Sequence, residues 1–458
     1  MNLIRIFVCC ISCTFLLLSS QVFTTYANTE EQQYIVEFID DISLFSDYQN
    51  IRFNILTESE LNECIQAGIV ERYEEDYIVE LFEATSTNSV LKWDLDLINA
   101  SKATNISCEG QNVNVGVIDS GVIPHPDLLD SIKTGYNFLT QSTDVTDNKG
   151  HGTFVSGLIA ANPNVMNING IAPKANIIPL KCFDNDYTTR VSTICSAIYD
   201  AVDVYKCDII NMSFGLTSYS ENLEKAVKYA TDNGVIVVAA VGNKGTQTLY
   251  YPAAFENVIG VGSVDENCQR STFSQYNDSV FVVAPGENVW STNAEGTYSQ
   301  KSGTSFAAPL VTGMITIMMN VEEDIDYAEV INYLKQSSTD LGTENYDTSF
   351  GHGMINVGNC IDQMLQEKKF FVSPIETDNN ISFVTILNNS SEQFKGYCMW
   401  GEYKNRYMKD MDWDYVELNP EDTITVETNL TKNKLKCFLW RNMNDITTIS
   451  NVRESEEQ

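Results

Sequence analysis

Val113-Asn114-Val115-Gly116-Val117-Ile118-Asp119-Ser120-Gly121 is almost wholly apolar for six residues, then breaks on a carboxylate and two small residues. A strand apolar on both faces belongs inside a parallel sheet covered on both sides. Similar runs follow at Asn176-Ile177-Ile178-Pro179-Leu180, Cys207-Asp208-Ile209-Ile210-Asn211-Met212 and Val235-Ile236-Val237-Val238-Ala239-Ala240. Helical patterns over residues 191–205 and 221–233 separate some of them. The alternation predicts an α/β domain over residues 91–365, a mostly parallel sheet with helices on both faces. Sites in such sheets form at the carboxyl ends of the strands, and Asp119 and Asn243 each follow one.

Two further runs carry chemistry. Gly150-His151-Gly152-Thr153 opens an apolar stretch, Phe154-Val155-Ser156-Gly157-Leu158-Ile159-Ala160, that reads as a buried helix. Gly303-Thr304-Ser305-Phe306-Ala307-Ala308-Pro309 presents a serine inside a small-residue turn. The chain has only 3 histidines. His125 lies between two prolines and His352 between two glycines, so His151 is the best-held general base. A hydroxyl is a weak nucleophile until a neighbouring base takes its proton, and that base must be oriented by a third group.

Taken in order, Asp119-Ser120-Gly121, Gly150-His151-Gly152-Thr153 and Gly303-Thr304-Ser305-x-Ala307-x-Pro309 resemble the subtilisin-like serine proteases, the subtilase family. The resemblance covers roughly residues 93–357 and extends more weakly to the preceding module, which looks like a subtilase propeptide. It implies Ser305 as nucleophile, His151 as base and then acid, Asp119 as the residue orienting the imidazole, and Asn243 as an oxyanion donor. It also implies that Ser213-Phe214-Gly215 pairs with the substrate backbone. The middle position is usually a smaller aliphatic residue, and Phe306 and Ala308 stand where Met and Ser are frequent. Calcium is the implied metal, held by Asp127 and by the loop of Asn162, Asn164, Met166 and Ile168, an oxygen-rich set of the kind that ion prefers. By alignment Lys244 and Tyr250 fall at the rim and base of the first specificity pocket. Tyr250 would fill volume there, so a small or polar, non-basic P1 residue is expected and a large aromatic one is not.

Outside the α/β region, Arg5 followed by an apolar run over residues 6–18 and by Thr25-Tyr26-Ala27 predicts a signal peptide, 1–27, and hence a secreted protein. Neither a second apolar span nor a sorting tail is visible, so no membrane anchor is expected once the signal is cut. Residues 28–90 form a small α+β module. Tyr34-Ile35-Val36-Glu37-Phe38 alternates as a strand, Thr57 and Glu60 have the spacing of a capping box, and Gly68 is a natural helix stop. The polar stretch 83–89 is a plausible cleavable linker, with the cut expected over residues 85–91. Residues 366–458 carry short, partly aromatic strand-like runs and predict a small β-sandwich.

The net charge of -34 argues against nucleic acid and anionic membranes as partners. Of 12 cysteines, Cys9, Cys10 and Cys13 fall in the signal. The rest show no Cys-x-x-Cys spacing, which argues against zinc. Cys398 and Cys437 are a candidate pair, while Cys182 and Cys207 read as small buried hydrophobes. The expected activity is that of a secreted, self-processing serine endopeptidase with peptide or protein substrates and its own propeptide as a partner. Two alternatives stay open from sequence: a cell-surface binding protein with a vestigial protease domain, and a dedicated bacteriocin leader peptidase.

Overall fold

A computed structural model describes residues 32–38, 53–82, 93–162, 168–184, 187–366, 368–404, 407–430, 434–441 and 453–455. The expected signal peptide and the 83–89 linker lie outside them. The chain divides into two compact units, Met1–Tyr77 with Arg190–Ser192, and Ile78–Thr189 with Thr193–Gln458.

In the first unit, strand β1 (Gln33–Phe38) lies between β2 (Asn54–Thr57) and β3 (Val70–Glu75), all antiparallel. Helix α1 (Glu58–Gln66) starts where the sequence indicates. Glu60 N donates to Thr57 Oγ1, and Thr57 N donates back to Glu60 Oε2 at 2.9 Å. Val36, Leu56 and Leu61 form its core. Strand β4 (Ile78–Leu81), within the stretch 77–82 that reads as the third strand of this module, clusters with the second unit instead.

The second unit is built on a seven-stranded parallel sheet. In chain order its strands are β5 (Asn114–Asp119), β6 (Tyr136–Asn137), β7 (Asn176–Lys181), β8 (Ile209–Met212), β10 (Ile236–Ala240), β11 (Val258–Val264) and β12 (Val282–Pro285). The two-residue strand β9 (Phe214–Gly215) lies outside the sheet and pairs with β4. The sheet order is β12-β11-β10-β8-β5-β7-β6, so the connections diverge at β5. That point is where ligands settle in open α/β sheets. Strands β10 and β11 are buried at every residue, which is why their sequences lack the alternation of a half-exposed strand.

Helices α2 (His151–Ala160), α3 (Val191–Asp203) and α4 (Glu221–Asp232) connect strands, and α5 (Thr304–Val321) runs through the core against α2, β8, β10, β11 and β12. Helix α5 has the length and apolarity of a membrane span, but 94% of it is buried inside the protein. A hairpin of β13 (Val289–Thr292) and β14 (Tyr298–Lys301) packs its first strand on α2.

Beyond α6 (Tyr327–Ser337) and α7 (Val357–Gln366), the chain becomes the expected sandwich of two antiparallel sheets. One holds β15 (Phe370–Val372), β16 (Glu376–Asp378), β17 (Ile381–Asn388) and β20 (Thr423–Thr428). The other holds β18 (Phe394–Lys404), β19 (Tyr407–Leu418), β21 (Lys434–Trp440) and β22 (Arg453–Glu454). Both contribute to one core that includes Val384, Ile386, Trp400, Val416 and Leu439. Cys398 and Cys437 meet in it, their Sγ atoms 3.4 Å apart.

Candidate active site

Three strand ends and two helix starts converge above the switch point. Asp119 is the last residue of β5 and His151 the first of α2, and both are fully buried. His151 Nδ1 lies 2.8 Å from Asp119 Oδ1 and 3.0 Å from Oδ2. Oδ1 also accepts the Ser120 N–H at 2.7 Å, which fixes the carboxylate plane. The Phe306 ring covers the imidazole with centroids 5.3 Å apart, so the residue at this variable position serves as packing. Behind Asp119, burial and the carboxylate push the Cys182 thiol well above its usual range, and it stays neutral.

Ser305 is the second residue of α5, and its setting follows from a proline. Pro309 has no N–H to give the Ser305 carbonyl four residues earlier. The Ser213 hydroxyl donates to that carbonyl instead, at 2.8 Å. In return Ser305 Oγ donates to the Ser213 carbonyl at 2.9 Å. Ser213 is in turn held by Asn211 Nδ2 at 3.0 Å.

Asn243 follows β10. Its Oδ1 accepts from Thr304 N at 2.9 Å and Thr304 Oγ1 at 2.8 Å. A backbone N–H can only donate, so the amide is oriented with Oδ1 toward Thr304. Its Nδ2 is buried and has no hydrogen-bond partner in the apo protein. An orphaned buried donor costs about 1–3 kcal/mol, and is retained where something else is to fill it.

The expected substrate strand is occupied from within the unit. Strand β4 pairs antiparallel with β9, with Leu81 opposite Phe214 and Glu80 opposite Gly215. Leu81 N donates to Tyr187 O at 3.0 Å and Phe82 N to Ser213 O at 3.4 Å. The Phe82 carbonyl oxygen lies 3.3 Å from His151 Nε2. The imidazole therefore sits between the Asp119 carboxylate and the Phe82 carbonyl. The Phe82 ring meets Tyr250 edge to face at 5.1 Å. It lies so close to Gly215 that a Cβ there would come within 2.8 Å of its Cζ.

Tyr250, expected at the base of the first pocket, has the Phe82 ring packed against it. Lys244, expected at the rim, has an exposed side chain, and only its backbone N–H engages the loop, donating to Gln275 Oε1 at 3.1 Å.

Sequence reading missed Gln275, Asp147 and Phe82. Gln275 is buried and uses both ends of its amide to fix the loop after Asn243, accepting from Lys244 N and Thr246 N and donating to Thr248 O. Asp147 lies in a polar turn just before an apolar helix, a helix-start pattern that could have marked it. The other two histidines are occupied elsewhere. His125 accepts from Asp127 N and faces Thr297 O, and His352 packs on the Phe281 and Tyr346 rings.

Of the expected calcium ligands, Asp127 is buried and accepts the Tyr298 hydroxyl at 2.6 Å, while its carbonyl accepts Asn162 N at 2.8 Å. Ile168 is buried. Asn164 and Met166 lie outside the described residues. Among the described residues no three His, Cys, Asp or Glu side chains converge as a metal cluster.

Residues 110–353 match the subtilase family model. The chain is 34% identical over 340 residues to the M-protease of Shouchella clausii, spanning 71% of this chain and 88% of the relative. It is 37% identical over 264 residues to subtilisin Savinase of Lederbergia lenta, covering 58% of this chain and 96% of the relative. The minor extracellular protease Epr of Bacillus subtilis is 36% identical over 277 residues, 60% of this chain and 42% of its own length.

Proposed function

Since this chain belongs to the subtilase family and is a serine endopeptidase acting on peptide or protein substrates, we propose that Asp119, His151 and Ser305 are its catalytic triad. Ser305 Oγ bonds to the substrate carbonyl carbon while its proton passes to His151 Nε2. The developing oxyanion takes hydrogen bonds from Asn243 Nδ2 and from the Ser305 backbone N–H. His151 then gives the proton to the departing amine nitrogen as the C–N bond breaks. Water reverses the sequence on the acyl-enzyme. Asp119 holds the ring in the tautomer that leaves Nε2 free to accept, and stabilises the imidazolium. The observation carrying this reading is the orphaned Asn243 Nδ2, a donor held ready beside the Ser305 turn.

The protein is secreted and processes itself. The bond this reading selects is Phe82–Glu83, ahead of the 85–91 stretch that linker composition suggests, because the Phe82 carbonyl is the one at His151 Nε2. In a host lacking other proteases, the wild-type protein should acquire a new N-terminus at Glu83. Ser305→Ala should accumulate a precursor that keeps residues 28–82. Identical N-termini for the two proteins would overturn self-processing.

Calcium bound by Asp127 and by oxygens of the Asn162, Asn164, Met166 and Ile168 loop completes the reading. The ion would add stability to the loop and take no part in the chemistry. At a hundredfold over Kd it would stabilise the fold by about 2.7 kcal/mol. Chelator should lower Tm in the wild type and much less in Asp127→Ala; a chelator-indifferent wild type would remove this site.

A further inference from the structure

Helix α2 begins without a side-chain cap of its own, because its N-cap is Gly150. The first N–H groups of a helix need acceptors all the same. Asp147 and Ser120 supply them. Asp147 Oδ1 accepts from Gly150 N at 2.8 Å and Lys149 N at 3.0 Å, and Oδ2 accepts from Thr153 N at 2.9 Å and Thr153 Oγ1 at 2.7 Å. Ser120 Oγ donates to Asp147 Oδ1 at 2.8 Å and accepts from Gly152 N at 2.9 Å.

We propose that Asp147 is a positioning residue of the protease, tying the Asp119 turn to the His151 turn and holding a buried negative charge beside the imidazole. This rests on the triad reading above. Five donors converge on a carboxylate that is 2% exposed, and none of them is a cation. The five donors reach both oxygens at a helix N-terminus, where the macrodipole favours a carboxylate. His151 lies between two of the residues it binds, Gly150 and Thr153. Ser120 links the same carboxylate to the residue beside Asp119, and Ser120 N fixes Asp119 Oδ1. Rotation of either triad member therefore strains bonds to Asp147. Its charge also favours the imidazolium that forms when Ser305 gives up its proton.

The groups in contact with the His151 ring include Asp119 on β5, the ring of Phe306 on α5 and the carbonyl of Phe82. Lys181 on β7 is buried and donates to Ser120 O at 2.7 Å, and its carboxylate neighbour Asp184 lies 3.8 Å away. Cys182 stays neutral.

The test uses the matured enzyme, with the propeptide removed by added wild type where a variant does not process itself. Asp147→Asn should lower kcat about 10- to 100-fold with little change in KM. It should also move the acid limb of kcat/KM to lower pH by about one unit, since the imidazolium loses a neighbouring anion. Ser120→Ala keeps the charge and cuts the tether to the Asp119 turn. It should lower kcat with KM and the acid limb unchanged, and it carries the test if Asp147→Asn does not fold. A folded Asp147→Asn enzyme with an unmoved acid limb, or a Ser120→Ala enzyme with wild-type kcat, would overturn the proposal. Labelling of wild type by a serine-directed fluorophosphonate keeps the two readings apart. An unlabelled wild type would fail the triad itself.

Discussion

Asn243 divides its amide between two tasks. The oxygen is spent on Thr304, next to Ser305, and the nitrogen is buried without a partner, the donor that the proposed mechanism gives to the oxyanion. Such a donor contributes to kcat more than to KM, because the ground-state carbonyl asks less of it. Asn243→Ala should lower kcat about 10²–10³-fold, the cost known for the equivalent donor of subtilisin itself, with KM nearly unchanged. Steady-state kinetics on a peptide with Phe at P1 checks this. A rise in KM with constant kcat would show that Asn243 only binds substrate. At this scale the sequence names the residue, but which end of its amide is free follows from Thr304, 61 positions away.

Helix α2 owes its position to the β13 strand that lies along it. Ser291 Oγ donates to Phe154 O at 2.8 Å and Thr292 Oγ1 to Thr153 O at 2.9 Å, both reaching the helix backbone past Gly157. A Cβ on Gly157 would come within 2.3 Å of both hydroxyl oxygens. The glycine is there for close approach, its own backbone being ordinary helix. Gly157→Ala should cost about 1–3 kcal/mol by overpacking and also loosen His151 on the same helix. Denaturant unfolding together with kcat would show both effects. An alanine variant as stable and active as wild type would mean that β13 can shift away freely. The helix was legible from its apolar run, while the strand that fixes it was not among the expected elements.

For the whole chain, 62 acidic against 28 basic side chains leave a charge of -34. Self-repulsion of that size destabilises a compact state. Raising salt shortens the screening length from about 10 Å at 0.1 M to about 3 Å at 1 M. Tm should therefore rise with sodium chloride at pH 8, and much less at a pH near the pI of about 4.3, where the net charge vanishes. Equal rises at both pH values would assign the effect to salt exclusion rather than to charge. One place where opposite charges do meet is the junction of the sandwich with the α/β body. Lys174 bridges Glu109 and Glu376 there, and Gln111 Nε2 donates to Glu376 at 2.9 Å. Burial works against the Lys174 charge, but its bonds to the two carboxylates outweigh it and raise the pKa. Such a raised lysine contributes its stability throughout the neutral range and loses it only as pH climbs through the raised value, well into the alkaline.

The residues of the site and the parallel sheet beneath them could be read from the chain alone. Local rules act at that range: an apolar run ending on Asp119, a small-residue turn before Ser305, and a single well-held histidine. Even the capping box of Thr57 and Glu60 forms as its spacing requires. Tertiary structure alone decided what lies against Tyr250. Tyr250 looked like an obstruction because volume is all that a sequence position conveys. Once Phe82 is brought beside it at 5.1 Å, with Gly215 clearing the space, the same ring becomes a contact. Asp147 was passed over for the same reason. A carboxylate in a polar turn is ordinary until five donors close over it, four from the turn that follows and one, Ser120 Oγ, that only the fold brings in from 27 positions away.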